Sequence, residues 1–202
     1  IKKVIISVTN DLANDQRVKK VCETLTKNNF NITLVGRDLQ HSLNINRSYS
    51  TVRFKLIFNK GALFYMEYNL RLFFFLLNRR FDIYHSNDLD TLLPMWLTAF
   101  IFNKKLVYDS HEYFLGVPEI QNRYFVKKVW SSIESFIFPR LKYVFTVNES
   151  ISDLYFKDYK IRTLVIRNLP NKSSLIKVKS KKDLGLPKDK KLVILQGSGI
   201  NV

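Results

Sequence analysis

Residues 106–114 contain the most concentrated group of side chains that can do chemistry. Apolar residues run directly into Asp109, Ser110, His111 and Glu112. The pattern predicts a buried strand that ends in a polar loop, and ligands of open α/β sheets bind beyond the carboxyl ends of the strands. A histidine between two carboxylates is either held protonated or directed as a base, depending on which carboxylate it meets. The alternative is a helix amino terminus capped by Asp109 or Ser110, which would leave His111 as a polar surface residue.

Two more apolar runs end in polar residues of the same kinds. Residues 3–9 and 81–85 are rich in β-branched and aromatic side chains, which predicts strands. The polar residues at the two exits are Asn10, Asp11, Asn87 and Asp88. If the strands are parallel, their carboxyl ends meet at one edge of a sheet, so we expect Asn10, Asn87 and His111 to share that edge. Ordinary helix capping is the alternative for the residues of the first loop.

The elements that would position these residues alternate between strands and helices. A helix over 15–28 lies between strands over 3–9 and 32–35. This βαβ unit predicts an α/β fold with a parallel sheet. Further strands are predicted over 51–58, near a sheet edge, and over 81–85, 105–108, 143–147 and 162–166. Further helices are predicted over 61–78, from about 90, over 123–140, and after a cap at Asn148.

The helix predicted over 61–78 is strongly apolar. Glu67 and Arg71 interrupt it, so its longest purely apolar run is residues 72–77, whereas a membrane span needs about 20 such residues. We therefore expect a buried helix that covers the sheet. The alternative is a helix that lies on a membrane surface and is anchored by Arg79 and Arg80.

Two later helices are each expected to bury one apolar stripe. The first stripe consists of Leu89, Leu92, Leu93, Trp96, Leu97, Phe100 and Ile101. The inward side chains expected in the second helix are Phe125, Val129, Trp130, Ile133, Phe136 and Ile137, with Lys127 and Lys128 facing outward.

Composition limits the classes of function. The net charge of +16 favours phosphate-bearing partners such as nucleic acid, anionic lipid or nucleotide-linked substrates, although solubility alone also explains it. The single cysteine, Cys22, is placed in a helix core; it excludes an internal disulfide and a cysteine zinc cluster, and we predict no metal site. The loop after the first strand lacks the G-x-G-x-x-G spacing, which argues against a nicotinamide or flavin dinucleotide domain.

Charge and pattern divide the chain into three parts. Residues 1–170 are predicted to form one α/β domain, and residues 171–190 a lysine-rich interdomain linker. Residues 191–202 are predicted to begin a second, carboxyl-terminal α/β domain, with a buried strand over 191–196 followed by a Gly-Ser-Gly turn. We therefore expect the protein to continue beyond this chain.

The ordered set of motifs resembles the amino-terminal, acceptor-side domain of group 1 glycosyltransferases, a retaining family with the two-domain GT-B fold. The segments that carry the resemblance are DQRV at 15–18, FDIYHSND at 81–88, YDSHE at 108–112, FTVNES at 145–150, VIRN at 165–168 and LQGSG at 195–199. Two features depart from the family. The first loop lacks the glycines that often contact donor phosphates, and the two-glutamate signature that grips the nucleotide sugar belongs to the carboxyl-terminal domain.

The resemblance implies a fold and an activity. The fold would be a Rossmann-like, doubly wound, mostly parallel sheet, the amino-terminal half of a GT-B fold. The activity would be retaining transfer of a sugar from a nucleotide-sugar donor to an acceptor hydroxyl, in cell-surface polysaccharide or glycolipid synthesis. No cofactor is expected on this domain. The donor would bind mainly to the missing carboxyl-terminal domain, so we expect this domain alone to be inactive.

The resemblance also implies roles for residues. His111 would lie at the cleft near the reacting centre, and Asp109 or Glu112 would orient it. The residues expected to line the acceptor side are Asn10, Asp11, Arg17, Asn87, Asp88 and Asn148.

The expected partners are the carboxyl-terminal domain of the same protein, a sugar or lipid-linked acceptor, and an anionic membrane surface. We expect a cytoplasmic location, peripheral at the inner face of the membrane. Two alternatives have different tests. A basic nucleic-acid-binding module would show steep salt dependence of binding, but the sequence has no aromatic-basic stacking motif or recognition helix, so nucleic acid is not expected. A GT-B-fold sugar-nucleotide epimerase would be distinguished by its product.

Overall fold

The computed structural model describes residues 1–169, 179–187 and 189–194 of the chain. The chain divides into two compact units, Ile1–Asn168 and Leu169–Val202. The strands of the first unit are β1 (Lys3–Asp11), β2 (Asn31–Asp38), β3 (Ser50–Lys55), β4 (Ile83–Asn87), β5 (Lys105–Ser110), β6 (Tyr143–Thr146) and β7 (Leu164–Val165). Its helices are α1 (Gln16–Lys27), α2 (Gly61–Leu77), α3 (Leu92–Ile101), α4 (Pro118–Gln121), α5 (Tyr124–Ile137) and α6 (Glu149–Tyr159). Short 3-10 turns span Leu89–Thr91, Phe114–Gly116 and Phe138–Arg140.

The seven strands form one parallel sheet in the order β3-β2-β1-β4-β5-β6-β7. The order reverses between β1 and β4, which is the switch point of a doubly wound fold, where a crevice opens at the carboxyl ends of the strands. The predicted parallel α/β fold is therefore confirmed. The edge position predicted for the third strand is also confirmed, because β3 pairs with β2 alone.

Helices cover both faces of the sheet because successive side chains of a strand point in opposite directions. Ile6 packs in one cluster with Val18 and Cys22 of α1, which confirms the placement of the cysteine in a helix core. Ile5, the preceding residue, packs in another cluster with Tyr68 of α2. Both isoleucines are fully buried, so the centre of β1 lies between two helical layers.

Gly36 of β2 allows the end of β1 to lie close to its neighbour. A β-carbon at this position would lie 2.8 Å from the Asn10 carbonyl oxygen and 2.4 Å from Cδ2 of Leu12. Both distances are below any normal carbon contact, so a larger residue would displace the strand end. The glycine thus helps to position Asn10.

The prediction that the helix over 61–78 is buried is wrong for one of its sides. Its buried residues, Phe64, Tyr68, Leu72 and Leu76, recur every fourth position and face the sheet. The opposite side exposes Leu63, Met66, Leu70 and Phe74, because the sheet can contact only one side of a helix. No helix in the described parts of the chain is long and apolar enough to cross a membrane.

The two other predicted stripes are also partly wrong. Phe100 and Ile101 at the end of α3 are exposed, because Met95, Thr98 and Ala99 occupy the buried positions there. In α5 the buried residues are Trp130, Glu134 and Ile137. The helix is therefore rotated from its expected orientation, which exposes Phe125, Val129 and Phe136. Glu134 faces inward because the Tyr159 hydroxyl donates a 2.7 Å hydrogen bond to its carboxylate.

The second unit contains a turn in which Ser180 donates both its backbone N–H and its hydroxyl to the Asp183 carboxylate. Residues 191–194 form no strand, and Val193 is exposed, so this part of the predicted buried strand is not formed. The rest of that strand, and linker residues 171–178 and 188, lie outside the described residues. The predicted domain boundaries therefore stay predictions.

Candidate functional site

A polar cleft of about 260 Å³ opens at the carboxyl ends of β1, β4 and β5. It lies at the switch point of the sheet, where ligands of doubly wound folds bind. Its polar lining consists of Thr9, Asn10, Asp15, Arg37, Asn87, Asp88, Asp90, His111 and Glu112, and Val8, Phe64, Tyr65 and Phe114 add apolar wall. The structure thus brings Asn10, Asn87 and His111 together, as expected from the strand ends.

His111 follows β5 and lies between two carboxylates. Its Nδ1 is 3.3 Å from Oδ2 of Asp88, and its Nε2 is 3.4 Å from Oδ2 of Asp109. Burial alone would lower the pKa of His111, but the hydrogen bond to Asp109 and the charges of Asp88 and Asp109 outweigh burial and raise it. Of the two states left open by the sequence, the geometry therefore favours a protonated imidazole. The strand at residues 105–110 also rules out the helix-cap alternative for Asp109 and Ser110.

Asp109 is buried and does not itself line the cleft. Arg17 Nη2 donates to its Oδ1 at 2.8 Å, and His85 Nε2 lies 3.9 Å from Oδ2. Burial acts to raise the pKa of Asp109, but the nearby imidazoles of His111 and His85 more than offset it, and the pKa lies well below its usual range. Asp109 therefore stays ionised and lies beside His111, and its role in orienting the imidazole stays a prediction.

Asp88, not Glu112, supplies the second carboxylate beside His111. Its Oδ1 accepts the His111 backbone N–H at 2.7 Å, whereas Glu112 is exposed at the cleft and has no hydrogen bond or ion pair through its side chain to His111. Burial raises the pKa of Asp88 to about 6, and the charge of His111 opposes this rise. At neutral pH Asp88 is thus mainly ionised and pairs with the imidazolium.

The backbone of Asp88 is strained. Its φ of 57° and ψ of 171° fall in a region that is essentially restricted to glycine and costs about 1–3 kcal/mol. The Asp88 N–H donates to the Asp109 carbonyl at 2.9 Å, which ties the turn to the neighbouring strand. Strain of this kind concentrates at functional sites, and here it accompanies the contact between the Asp88 carboxylate and His111.

Two amides complete the polar wall. The side-chain N–H of Asn87 donates to the Ser7 carbonyl at 3.0 Å, while its Oδ1 is buried in the cleft with no hydrogen-bond partner in the described structure. Asn10 donates to Asp15 at 3.1 Å, and Asp15 caps α1 by accepting the Val18 N–H. The side-chain oxygen of Asn87 is therefore an unpaired acceptor in a residue that lines the cleft.

Asp90 and Arg37 are among the cleft residues that sequence analysis missed. Asp90 accepts a 2.5 Å hydrogen bond from the Thr9 hydroxyl; burial, and then the charge of Asp88, raise its pKa to about 7. Arg37 stacks over the Phe64 ring at 4.7 Å, and its buried Nε has no hydrogen-bond partner in the part of the chain described. Both residues lie at or just beyond strand ends, so extending the search by three residues would have found them.

Three predicted acceptor-side residues do not line the cleft. Asp11 accepts hydrogen bonds from the Ser42 hydroxyl and the Ala13 N–H. Arg17 pairs with Asp109, and Asn148 caps α6 by accepting the Ile151 N–H at 2.9 Å. These contacts are structural, and the helix cap predicted at Asn148 is confirmed. Among the residues described, no group of three or more His, Cys, Asp or Glu side chains is placed to hold a metal ion.

The arrangement suits a polar, polyhydroxylated ligand with a site of developing negative charge. Asn87 Oδ1 and the Asp90 carboxylate accept hydrogen bonds, and Arg37 donates. The protonated His111 stabilises negative charge in a site largely removed from water, where such interactions are stronger than in bulk solvent.

The fold and the cleft together define a Rossmann-like domain with a ligand site at the switch point of its sheet. The chain belongs to Glycosyltransferase Family 4, whose family model matches residues 16–171. No curated protein sequence matches it significantly.

Solved structures share the fold at low sequence identity. Sucrose-phosphate synthase from Thermosynechococcus elongatus is 14% identical with a TM-score of 0.71, over 94% of this chain and 54% of its own. MurG from Acinetobacter baumannii is 11% identical with a TM-score of 0.53, over 86% and 47%. A UDP-GlcNAc 2-epimerase from Methanocaldococcus jannaschii is 13% identical with a TM-score of 0.52, over 81% and 44%. The chain thus spans about half the length of these proteins, and it has the predicted fold of the amino-terminal half of a GT-B enzyme.

Proposed function

We propose that the protein transfers a sugar from a nucleotide-sugar donor to an acceptor hydroxyl with retention of anomeric configuration, and that this domain binds the acceptor. The observation that carries the proposal is the position of His111, whose two ring nitrogens face the carboxylates of Asp88 and Asp109 at the rim of a polar cleft. Membership of a glycosyltransferase family supports it. The donor would bind to a carboxyl-terminal domain of the same protein, in keeping with the half-length matches.

The chemistry needs stabilisation of charge. As the glycosidic bond to the diphosphate breaks, negative charge grows on the leaving group. His111, as an imidazolium, interacts with that charge or with the sugar at the reacting centre. Asn87 and Asp90 accept hydrogen bonds from acceptor hydroxyls, and Asp88 and Asp109 hold the imidazole in place. Removing one preorganised donor of this kind lowers turnover by about 100-fold or more in other enzymes.

We further propose a role in cell-surface polysaccharide or glycolipid synthesis, with the protein peripheral at the cytoplasmic face of the membrane. The support is the net charge of +16 and the exposed apolar side of α2, which includes Met66 and Leu70. Basic charge and an exposed apolar helix face favour anionic lipid surfaces.

The test is turnover of the full-length protein with a panel of nucleotide sugars, measured as release of nucleoside diphosphate. His111→Ala should lower turnover by about 100-fold with an unchanged circular dichroism spectrum. His41→Ala is the matched control, because His41 is exposed and lies outside the cleft; its turnover should match that of the wild type. Turnover of His111→Ala within twofold of the wild type would remove His111 from the mechanism.

Two further measurements test the proposal. An epimerase would convert the nucleotide sugar to its epimer with no acceptor present, so product analysis separates the two activities. Residues 1–202 alone should transfer no sugar and should bind nucleotide sugars weakly. Calorimetry that detects tight binding of a nucleotide sugar to these residues would contradict the proposal that the donor binds to a carboxyl-terminal domain.

A further inference from the structure

Another cavity, of about 520 Å³, lies at the amino-terminal edge of the sheet, where β5 and β6 begin. Four of its lining residues carry positive charge, namely Lys104, Lys105, Arg140 and Lys142, and we call this cavity the basic pocket. No carboxylate belongs to its lining among the described residues. Its volume lies within the range of about 300–1,000 Å³ that is typical of small-molecule sites.

The basic pocket and the polar cleft lie at opposite ends of β5. Lys105 is the first residue of this strand and lines the pocket, whereas Asp109, the fifth residue, lies beside His111. A strand rises by about 3.3 Å per residue, so the two positions are about 13 Å apart. No residue described as lining one space lines the other. The basic pocket is therefore separate from the site that we assign to sugar transfer.

The positive charge of the basic pocket is largely uncompensated. Lys105 and Lys142 are exposed, and their side chains have no hydrogen bond or ion pair within the part of the chain that the structure describes. Lys104 lies 3.8 Å from the carboxylate of Asp82. The four charges come together because β5 and β6 are neighbouring parallel strands, so the residues at their starts share one edge of the sheet. A concave site lined by charges of one sign concentrates ligands of the opposite sign.

Aromatic rings form the apolar part of the basic pocket. Trp96 and Phe100, one turn apart on α3, stack with their centroids 5.5 Å apart and their planes at 15°. Phe100 is nevertheless 73% exposed, and Tyr143, at the start of β6, is 43% exposed. The Arg140 guanidinium lies 4.2 Å from the centroid of the Phe136 ring, which holds this cation beside the aromatic group. Open rings next to cations are the combination that binds bases by stacking and phosphates by charge.

We propose that the basic pocket binds a nucleoside phosphate, with its base against Phe100 and Tyr143 and its phosphates at the four cations. A nucleoside phosphate joins in one small molecule the flat ring and the negative charges that the two parts of the pocket complement. This site is distinct from the donor site, which the proposed function assigns to a carboxyl-terminal domain. The sequence shows no aromatic-basic stacking motif because the rings and cations come from segments that are distant in the chain.

The test is calorimetry on the full-length protein with three probes. These are ATP, tripolyphosphate, which lacks the base and ribose, and adenosine, which lacks the phosphates. ATP should bind about tenfold or more tightly than either of the others, because only ATP contacts both the rings and the cations.

Two pairs of variants locate the binding. Lys142→Glu reverses a charge in the basic pocket and should weaken ATP binding about tenfold or more; Lys55→Glu is its matched control, because Lys55 is an exposed lysine at the end of β3 and outside the pocket. Phe100→Ala removes a stacking ring and should weaken ATP binding about fivefold or more. Phe74→Ala is its control, because Phe74 is 60% exposed on α2 and does not line the pocket. Both controls should keep an affinity within twofold of the wild type, and all four variants should keep the circular dichroism spectrum of the wild type.

Several results would overturn the inference. If ATP binds no more tightly than tripolyphosphate, or if Phe100→Ala has no effect, the pocket is a site for anions without a base. ATP binding that both pocket variants leave unchanged would place the nucleotide elsewhere, such as at the donor site. Equal losses in Lys142→Glu and Lys55→Glu would assign the binding to the net charge of the whole protein. Binding to phosphatidylglycerol vesicles that Lys142→Glu abolishes, with no binding of ATP, would assign the four cations to a membrane surface.

Discussion

Asp88 contacts His111 twice, because one carboxylate oxygen accepts the His111 backbone N–H at 2.7 Å and the other lies 3.3 Å from Nδ1. The contact joins the ends of two neighbouring strands, β4 and β5, whose register pairs Asn87 with Asp109. The carboxylate thus fixes both the position and the charge of the imidazole.

The first prediction concerns that charge. Asp88→Asn keeps an acceptor for the backbone N–H but removes the negative charge, so the pKa of His111 should fall. It is measured from the pH dependence of the imidazole proton shifts in NMR spectra. Glu112→Gln is the control, since this cleft carboxylate has no hydrogen bond or ion pair through its side chain to His111; it should change the pKa of His111 much less. An unchanged pKa in Asp88→Asn would contradict the ion pair.

The pH dependence of stability follows from the same shift. The folded-state pKa of His111 is raised above its unfolded value, so the stabilisation is complete below about pH 6.5, the unfolded value, and is lost as the pH rises through the folded pKa. Asp88 itself titrates near pH 6, so the comparison is made above that value. The difference in free energy of unfolding between wild type and Asp88→Asn that arises from His111 should be larger at pH 7 than at pH 9.

The second prediction tests the backbone strain at Asp88. Asp88→Ala and Asp88→Gly both remove the carboxylate, but only glycine tolerates a φ of 57°. The glycine variant should therefore be more stable than the alanine variant by about 1–2 kcal/mol, measured by urea unfolding. The usual order is the reverse, since glycine in a regular element is less stable than alanine by roughly 0.5–1 kcal/mol. The usual order at this site would contradict the strained turn.

The third prediction concerns Gly36. Gly36→Ala should destabilise the protein by about 1–3 kcal/mol, as overpacking does elsewhere, because the new methyl group meets the Asn10 carbonyl as well as the flexible Leu12 side chain. The end of β1 should move, and amide NMR shifts of Asn10 and its neighbours should report it. If Gly36→Ala leaves the free energy of unfolding unchanged, the ends of β1 and β2 can move apart without cost, which would contradict the prediction.

The fourth prediction concerns Asp90, whose pKa is raised to about 7, first by burial. The stabilisation that comes from the protonated form of Asp90 is complete below the pKa of the unfolded state, and it is lost as the pH rises through about 7. Asp90→Asn should therefore raise stability at pH 8, by on the order of 2 kcal/mol, and change it little at pH 4. Urea unfolding at both values measures the effect.

Asp82 provides a control of opposite sign. The hydrogen bond from the Lys3 backbone N–H lowers the pKa of this carboxyl, so its stabilisation is present above the unfolded pKa and is lost as the pH falls through the folded one. Asp82→Asn should lower stability at pH 8. A gain in stability of both variants at pH 8 would contradict the assignment of the Asp90 effect to burial and of the Asp82 effect to its hydrogen bond from Lys3.

Much of the fold followed from local patterns. Apolar runs predicted all seven strands of the sheet, and the helix predicted from residue 15 begins at Gln16, directly after its cap Asp15. The strand ends correctly directed attention to Asn87 and His111. Helix orientation was less predictable: α5 buries Glu134 and exposes Phe125, and the Tyr159 hydroxyl, 25 residues away, donates a hydrogen bond to one oxygen of the buried carboxylate. A pattern of residue types carries no information about such a distant partner.

The sequence by itself determined the alternation of strands and helices, the burial of Cys22 and the polar character of the strand exits, because each depends on residues a few positions apart. The tertiary structure decided that Asp88 pairs with His111 and that Asp90 and Arg37 enter the cleft. These features depend on the order of strands in the sheet and on the rotation of helices against it. Both are set by packing between segments that are distant in the chain.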